Sequence, residues 1–157
     1  MLHVFKSPDA KTISGIAVIV RACLCLAIIV SGLALRGFGL RLGLPPAFVK
    51  YGGSVLWGAM VFFLVATAAT NLSRRSIALI SGLIAVCVEL FRLVHEPWLD
   101  AFRLTTAGAL LLGRIFSPWN LLAYAVGIAF GVLFDRFGVS VFTTTRLPAR
   151  NALRSDS

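Results

Sequence analysis

Residues 13–35 read ISGIAVIVRACLCLAIIVSGLAL, an apolar run that is interrupted by one charge, Arg21. At about 1.5 Å per residue, a helix of this length can cross a hydrocarbon core about 30 Å thick. The apolar region of a cleavable signal peptide is only about 7–15 residues long. The sequence therefore predicts a retained membrane helix over residues 13–35.

The rest of the chain is also unusually apolar. Of its 157 residues, 59% are apolar and 13% are charged, against about 45–50% and about 25% in ordinary soluble domains. A soluble domain of this size buries only about 70% of its unfolded surface, so large apolar patches would face water. The composition excludes a disordered chain, a secreted disulfide scaffold and a soluble nucleic-acid binder, despite the net charge of +9.

Further apolar runs alternate with short polar segments. Gly and Pro residues around Pro45 follow the first run, and Arg74 and Arg75 lie in a short turn between the second and third runs. A helix over residues 98–112 would be about 22 Å long, so we expect it to lie in the membrane interface or to re-enter the membrane. A fifth crossing is the alternative. The predicted fold is all-α, with this helix preceding the last of four transmembrane helices, at residues 13–35, 53–70, 76–94 and 119–134.

These helices are expected to form one membrane domain over residues 1–142, followed by a basic tail over residues 143–157. With four crossings both termini lie on the same side, and that side carries the larger share of the Lys and Arg residues. Because basic loops favour the cytoplasmic side, we expect both termini in the cytoplasm. Membrane lipid is the expected partner, and no nucleic-acid partner is predicted.

Arg21 and Glu89 are the ionisable residues that lie deepest in apolar sequence. A charge at this depth is costly unless it is paired. If both helices start on the cytoplasmic side, Arg21 lies about 14 Å and Glu89 about 20 Å into the membrane. A long arginine side chain can bridge that difference, so we expect a buried Arg21–Glu89 ion pair. The local alternative is Glu89 with Arg92, at i, i+3.

A dense polar cluster follows the third span. Arginine offers paired donors, histidine exchanges a proton near neutral pH, and carboxylates orient arginine. Such a set can hold a phosphate or a sugar head group; the alternative is that its members satisfy one another and anchor the interfacial helix. The cluster contains Glu89, Arg92, His95, Glu96, Asp100 and Arg103. The predicted ligand-binding residues are Arg92, His95, Trp98, Asp100, Arg103 and Tyr124.

Two other functions remain open for these residues. In an intramembrane enzyme, His95 would act as general acid or base with Glu89 or Asp100 as its partner. In a small transporter or flippase, Arg21 and Glu89 would line the polar path. The chain has only two histidines, and it lacks the usual metal, nucleotide, nicotinamide and acyl-transfer motifs, so neither a metal nor another cofactor is predicted. The sequence favours binding over catalysis.

Small residues recur at four-residue spacing in the fourth span, at Ala123, Gly127 and Gly131. A stripe of this kind lets a second helix approach closely. Ser54 and Gly58 have the same spacing in the second span. We expect these faces to pack inside the protein; a homo-oligomer or a membrane-protein partner is the alternative.

Several stretches of the chain match a known family pattern. They are residues 88–90, residues 97–103, residues 108–113 and residues 121–127. On these residues the chain resembles small bacterial membrane proteins of domain-of-unknown-function family 2809, over nearly all of residues 13–135. That family is in turn distantly similar to VanZ-like proteins. The resemblance implies a four-helix bacterial inner-membrane protein without an established activity and, through the VanZ-like proteins, a role in handling cell-envelope lipids or glycopeptides.

The chain departs from this pattern at three places. Ser54 stands where an acidic residue is usual, Phe91-Arg92 where a Ser-Gln pair is usual, and Asn120 where an aspartate is usual. The resemblance implies that any shared function depends on the residues that are retained. These are Glu89, His95, Trp98, Asp100, Arg103 and Tyr124.

Overall fold

The computed structural model describes residues 10–105, 107–108, 112 and 116–144. The elements that these residues form are helices, as the sequence predicts. The predicted basic tail lies outside the described residues from position 145 onward. The helices are α1 (Ala10–Phe38), α2 (Pro46–Ala68), α3 (Arg74–Phe91), α4 (Pro97–Leu104) and α5 (Pro118–Thr144).

Local chemistry explains where the long helices begin. α2 starts at Pro46 rather than at residue 53, because proline is favourable in the first turn of a helix, where its missing N–H is not needed. α3 starts after Ser73, whose side-chain oxygen accepts a hydrogen bond from the Ser76 amide. The loop after α1 turns at Gly43, whose φ of 78° is readily adopted only by glycine.

The polar segment after α3 differs from the prediction. α3 ends at Phe91 rather than at residue 94, and α4 stops at Leu104, so it covers only part of the predicted residues 98–112. Glu96 is extended because it precedes Pro97, and proline disfavours helical backbone in the residue before it. Glu89, Arg92 and Glu96 therefore do not share one helical face.

Among the residues that the structure describes, three helical segments are long and apolar enough to cross a membrane. α3 is shorter, with 18 residues, and includes Arg74, Arg75 and Glu89. The length and composition of α3 therefore do not confirm it as a membrane crossing, and the prediction of four crossings is not confirmed. The three segments are Gly15–Phe38, Pro46–Ala68 and Pro118–Phe137.

α2 is the central helix and packs against α1, α3 and α5. The hydrophobic core lies where these helices meet. The thiol of Cys25 is part of this core, where it packs as a small apolar group. The buried core residues are Cys25, Phe62, Phe63, Ala66, Ile77 and Ile128.

The closest approach is between α2 and α5. A Cβ on Gly127 would collide with the Val55 carbonyl oxygen, and a Cβ on Gly58 would lie 2.5 Å from the Tyr124 carbonyl oxygen. Gly131 faces the ring of Phe62. The small-residue stripe of the last span therefore packs inside the protein, and Ala123, which completes it, is buried as well.

The bundle has two ends. The short connection between α2 and α3 lies at one of them, which is called the hairpin end; α4 lies at the other, the α4 end. The hairpin end contains residues 69–73, the start of α1 and the last part of α5. The α4 end contains residues 39–45, the end of α3, α4 and the start of α5. Charged side chains form a separate buried network at each end.

Candidate functional site

Glu89 is fully buried and lies at the centre of the polar network at the α4 end. Its carboxylate accepts a hydrogen bond from the Ser117 amide at 2.7 Å and forms an ion pair with Arg92 at 2.6 Å. The Tyr124 hydroxyl and the Asn120 amide also donate to it, at 3.2 and 3.3 Å. These donors compensate a charge that would otherwise be costly in apolar surroundings.

Arg92 closes the same network and is only 7% exposed. Its Nε donates to the Leu112 carbonyl at 2.5 Å, and its Nη2 donates to the Tyr124 hydroxyl at 2.8 Å. α2 supports the network from the other side, because the Trp57 ring lies 4.8 Å from the Tyr124 ring. The network therefore connects α2, the end of α3 and the start of α5.

Arg103 caps the end of α3 from α4. Its Nη1 donates to the Val94 carbonyl and its Nη2 to the Phe91 carbonyl, each at 2.7 Å. Carbonyl groups at the end of a helix have no partner within that helix. The guanidinium donates to the carbonyl of Phe91, the last residue of α3, which also accepts from the Val94 amide, and to the carbonyl of Val94 in the loop that follows. Nη1 also donates to Asp100 Oδ1 at 3.0 Å.

The exposed part of the cluster lies on α4 and just before it. His95 Nδ1 is 3.5 Å from Asp100 Oδ2, and the two side chains are 68% and 46% exposed. Trp98, in the first turn of α4, is exposed as well. Because Arg103 holds the other oxygen of Asp100, the carboxylate is fixed on its inner side and open on its outer side.

Three of the predicted ligand-binding residues are internal. Arg92 and Arg103 use their guanidinium groups on carboxylates and backbone carbonyls, and Tyr124 is buried within the Glu89 network. Arg103 is turned inward because its donors reach carbonyls at and just after the end of α3. Arg92 is turned inward because Glu89 supplies its counter-charge. His95, Trp98 and Asp100 are the predicted ligand-binding residues that remain available to a ligand.

The predicted Arg21–Glu89 ion pair is wrong. Arg21 lies at the hairpin end, where its Nε and Nη2 donate to the two oxygens of Asp135 at 2.6 and 3.1 Å. Arg74 donates from Nε to the same carboxylate at 2.9 Å. Glu89 pairs with Arg92, which is the local alternative.

The two networks are well separated along the bundle. Arg74 and Glu89 are both on α3, and the spacing between them corresponds to about 22 Å of helix. The buried rings of Phe62 and Phe63 belong to the core between them. Arg21 and Glu89 therefore belong to two separate networks at opposite ends of the bundle.

Asp135 is the main residue that sequence reasoning missed. It continues the four-residue spacing of Ala123, Gly127 and Gly131, so it lies on the inner face of α5. That spacing was the available signal that its charge is internal. The Ser54 hydroxyl donates to the Asn120 side-chain oxygen at 3.3 Å. No local sequence pattern predicts this contact, because it depends on how α2 and α5 pack.

The site residues do not form a metal centre. The described residues include no group of three or more His, Cys, Asp or Glu side chains that could hold a metal ion. The exposed His95–Asp100 pair can donate and accept hydrogen bonds, and an imidazole next to a carboxylate can also take up or release a proton. The site is therefore suited to a polar head group or to general acid–base chemistry.

A protein-family model described as a protein of unknown function (DUF2809) matches residues 44–128. The matched segment begins just before α2, ends within α5 and includes the Glu89 network. Ser54, Arg92 and Asn120, at which the chain departs from the pattern described above, all belong to this network. No solved structure shows significant similarity to the chain.

Proposed function

The chain belongs to the DUF2809 family, whose function is unknown, and on this premise we propose that it is a lipid-binding protein of the bacterial inner membrane. It crosses the membrane four times and has both termini in the cytoplasm. At the opposite, outer end it binds the polar head group of a lipid or a lipid-linked cell-envelope precursor. The observation that carries this proposal is the exposed His95–Asp100 pair, whose Asp100 carboxylate is held in place by buried Arg103.

The fourth crossing is α3. Its outward face is apolar and exposed along most of its length, with Leu79, Leu83 and Val86 among the exposed side chains. Glu89 is compensated within the protein, and Arg74 and Arg75 lie in the first turn, where their side chains can reach the membrane surface. α3 also packs beside α2 and α5, so it shares their environment.

α4 lies in the outer interface. Trp98, Phe102 and Leu104 are exposed apolar side chains of this short helix, whereas Leu99 and Arg103 face the protein. Tryptophan is favoured at the level of the lipid head groups. This placement would set His95 and Asp100 at the depth of the head groups.

The preferred ligand is a head group rich in hydroxyl groups, such as a sugar. Arg92 and Arg103, which would suit a phosphate, are occupied within the protein. Asp100 can accept hydroxyl donors, and His95 can donate or accept. The exposed indole of Trp98, on the same short helix as Asp100, adds a flat apolar surface at this end of the protein. These are the types of contact that a sugar head group can use.

The binding proposal is tested by native mass spectrometry of protein purified in mild detergent. We expect a defined glycolipid or precursor to copurify with the wild type and to be lost from Asp100→Asn and Trp98→Ala. Glu96→Gln is the matched control, because Glu96 is an exposed neighbouring carboxylate with no side-chain bond in the cap of α4. Equal retention by all variants would refute the proposed site.

The four-span topology has its own test. A reporter that is active only in the cytoplasm is fused after Asn71 and, separately, after Ser157, with a fusion after Arg41 for comparison. We expect activity from the first two fusions and none from the third. An inactive fusion after Ser157 would place the terminus outside and contradict four crossings.

One observation favours an enzyme as the second candidate. The contact of His95 Nδ1 with Asp100 leaves Nε2 as the ring nitrogen available for proton transfer. The chemistry would be general acid–base catalysis on a lipid-linked substrate. With such a substrate identified by mass spectrometry, His95→Gln would abolish turnover but retain binding; unchanged turnover would exclude this role.

A further inference from the structure

An apolar groove of about 610 Å³ runs between α3 and α5. Small residues form much of its α3 wall, and larger aliphatic side chains of α5 form the other wall. One end of the groove reaches Tyr124 and the other reaches Val132 and Leu133. The lining includes Ala78, Gly82 and Val86 on α3, and Leu121, Tyr124 and Leu133 on α5.

The groove has the length of one membrane leaflet. Its α3 wall extends from Ala78 to Val86, about 12 Å, and its α5 wall from Leu121 to Leu133, about 18 Å. Half of a hydrocarbon core about 30 Å thick is about 15 Å. The length of the groove therefore matches the length of an acyl chain that spans one leaflet.

Arginines lie at the hairpin end of the groove, so an acyl chain with an acidic head group would enter the groove from that end. Arg75 precedes Ala78 by three residues and Arg136 follows Leu133 by three, so both lie on the helix faces that form the groove. Both side chains are exposed. Arg74 is bound to Asp135 through Nε, and 42% of its side chain remains exposed.

Among the described residues that line the groove at its other end, none is basic. There Tyr124 leads to the Glu89–Arg92 pair, which is buried and electrically compensated. The described residues therefore favour an anionic group at the hairpin end. Basic residues at one end and an apolar groove beyond them complement an amphiphile that has an acidic head group and an apolar tail.

We propose that this groove binds an anionic phospholipid, with one acyl chain between α3 and α5 and its phosphate at Arg75 and Arg136. The site lies in the leaflet at the hairpin end, which is the cytoplasmic leaflet in the topology proposed above. The inference rests on the proposed membrane architecture but not on the head-group site at the α4 end. Arg74 adds charge to the site, while Asp135 holds it in position.

The first test is a lipid titration followed by native mass spectrometry of the full chain in detergent. The probes are phosphatidylglycerol, phosphatidylcholine with the same acyl chains, and glycerol phosphate, which has no acyl chain. We expect phosphatidylglycerol to bind more tightly than phosphatidylcholine and glycerol phosphate not to compete. Competition by glycerol phosphate would indicate a site for free phosphate and overturn the lipid assignment.

The arginines are tested by the double variant Arg75→Gln/Arg136→Gln. A basic residue near the membrane surface is worth about fivefold in affinity, so we expect phosphatidylglycerol binding to weaken by about thirtyfold. Arg41→Gln is the matched control, because Arg41 is an exposed arginine at the opposite end. An equal loss in the control, or none in the double variant, would refute the site.

The groove itself is tested by Gly82→Leu. A Cβ on Gly82 has no atom within 4 Å, so a side chain can fill the groove without striking the backbone. Gly53→Leu is the control, since Gly53 has equal space around its Cβ but does not line the groove. We expect only Gly82→Leu to lose phosphatidylglycerol. If Gly82→Leu instead separates a dimer into monomers without losing lipid, a second copy occupies the groove and the proposal is wrong.

The proposed membrane architecture and the proposed phospholipid site can be tested separately. A chain that stays soluble without detergent after cell lysis would contradict the proposed architecture, and with it both lipid proposals. A chain that requires detergent but binds phosphatidylglycerol and phosphatidylcholine equally would contradict the groove site alone. The charge variants remain informative even if Gly82→Leu does not fold, since Arg75 and Arg136 are at the surface.

Discussion

Arg21 and Asp135 are 114 residues apart in the chain, yet Arg21 Nε lies 2.6 Å from Asp135 Oδ1. The same guanidinium donates from Nη1 to the Ala66 carbonyl, and Arg74 donates to the other oxygen of Asp135. One buried carboxylate therefore connects α1, α3 and α5, and Arg21 also holds the last turn of α2. This contact joins the four long helices at the hairpin end.

A double-mutant cycle should show that Arg21 and Asp135 are energetically coupled. We expect Asp135→Ala to lower the free energy of unfolding by about 3–5 kcal/mol, because it leaves Arg21 buried without its counter-charge. Arg21→Ala should rescue part of this loss, so that the double variant is less destabilised than the sum of the singles. Reversible unfolding in mixed micelles measures both effects.

The control for that cycle is the pair that the sequence predicts, Arg21 and Glu89. These residues lie in separate networks, so the effects of Arg21→Ala and Glu89→Ala should add within about 0.5 kcal/mol. Strong coupling in this second cycle would contradict the structure.

Glu89→Gln should destabilise the α4 end more than Tyr124→Phe. The glutamine removes the partner of the buried Arg92 charge, for which we expect a loss of about 3–5 kcal/mol. Phenylalanine at 124 removes a hydroxyl from Arg92 and Glu89 but leaves the ion pair intact, with an expected loss of about 1–3 kcal/mol. Thermal unfolding of the purified variants gives the order, and equal effects would show that the ion pair is not the main contribution.

Gly127→Ala should be far more damaging than Gly82→Ala. A methyl group on Gly127 meets the backbone of α2, which must move away, and overpacking of this kind costs about 1–3 kcal/mol. Gly82 has free space around its Cβ, so alanine should be neutral or stabilise the helix by up to about 1 kcal/mol. The two melting temperatures, measured in the same detergent, make the comparison. Similar shifts would mean that α2 and α5 are not in close contact at Gly127.

Arg103→Lys should loosen the connection between α3 and α4. A lysine lacks the planar fork with which Arg103 reaches the Phe91 and Val94 carbonyls, so at least one of them loses its donor. Hydrogen exchange should become faster for the amides of residues 92–96 and stay unchanged at the hairpin end. Uniformly faster exchange would instead indicate global destabilisation.

Much of the fold follows from local patterns. Hydropathy predicts α1, α2 and α5, because the tendency of a segment to leave water is a sum over its own residues. The boundary at Pro97 is also local, since proline restricts the residue before it. The four-residue spacing of Ala123, Gly127 and Gly131 predicts the close packing of α5, although not its partner.

The sequence predicts which residues of the candidate site are close along the chain, but not which way each side chain points. Asp100, His95 and Trp98 are exposed, as a binding site requires, whereas Arg92 and Arg103 are turned inward. The sequence shows that these residues are close along the chain. It does not show that Arg103 reaches the carbonyls at the end of α3. Nor does it show that Glu89, Tyr124 and the Leu112 carbonyl surround the guanidinium of Arg92.

The sequence by itself determined that the chain is helical and apolar, where most of its helices lie, and that its few internal charges must be paired. Only the tertiary structure decided the pairs: Arg21 with Asp135, and Glu89 with Arg92. The reason is that hydropathy and helix breaking act within a segment, whereas the partner of a buried charge depends on which helices are neighbours and how each is rotated. Both properties are set by packing between helices, of which the close contact of α2 with α5 at Gly58 and Gly127 is one example.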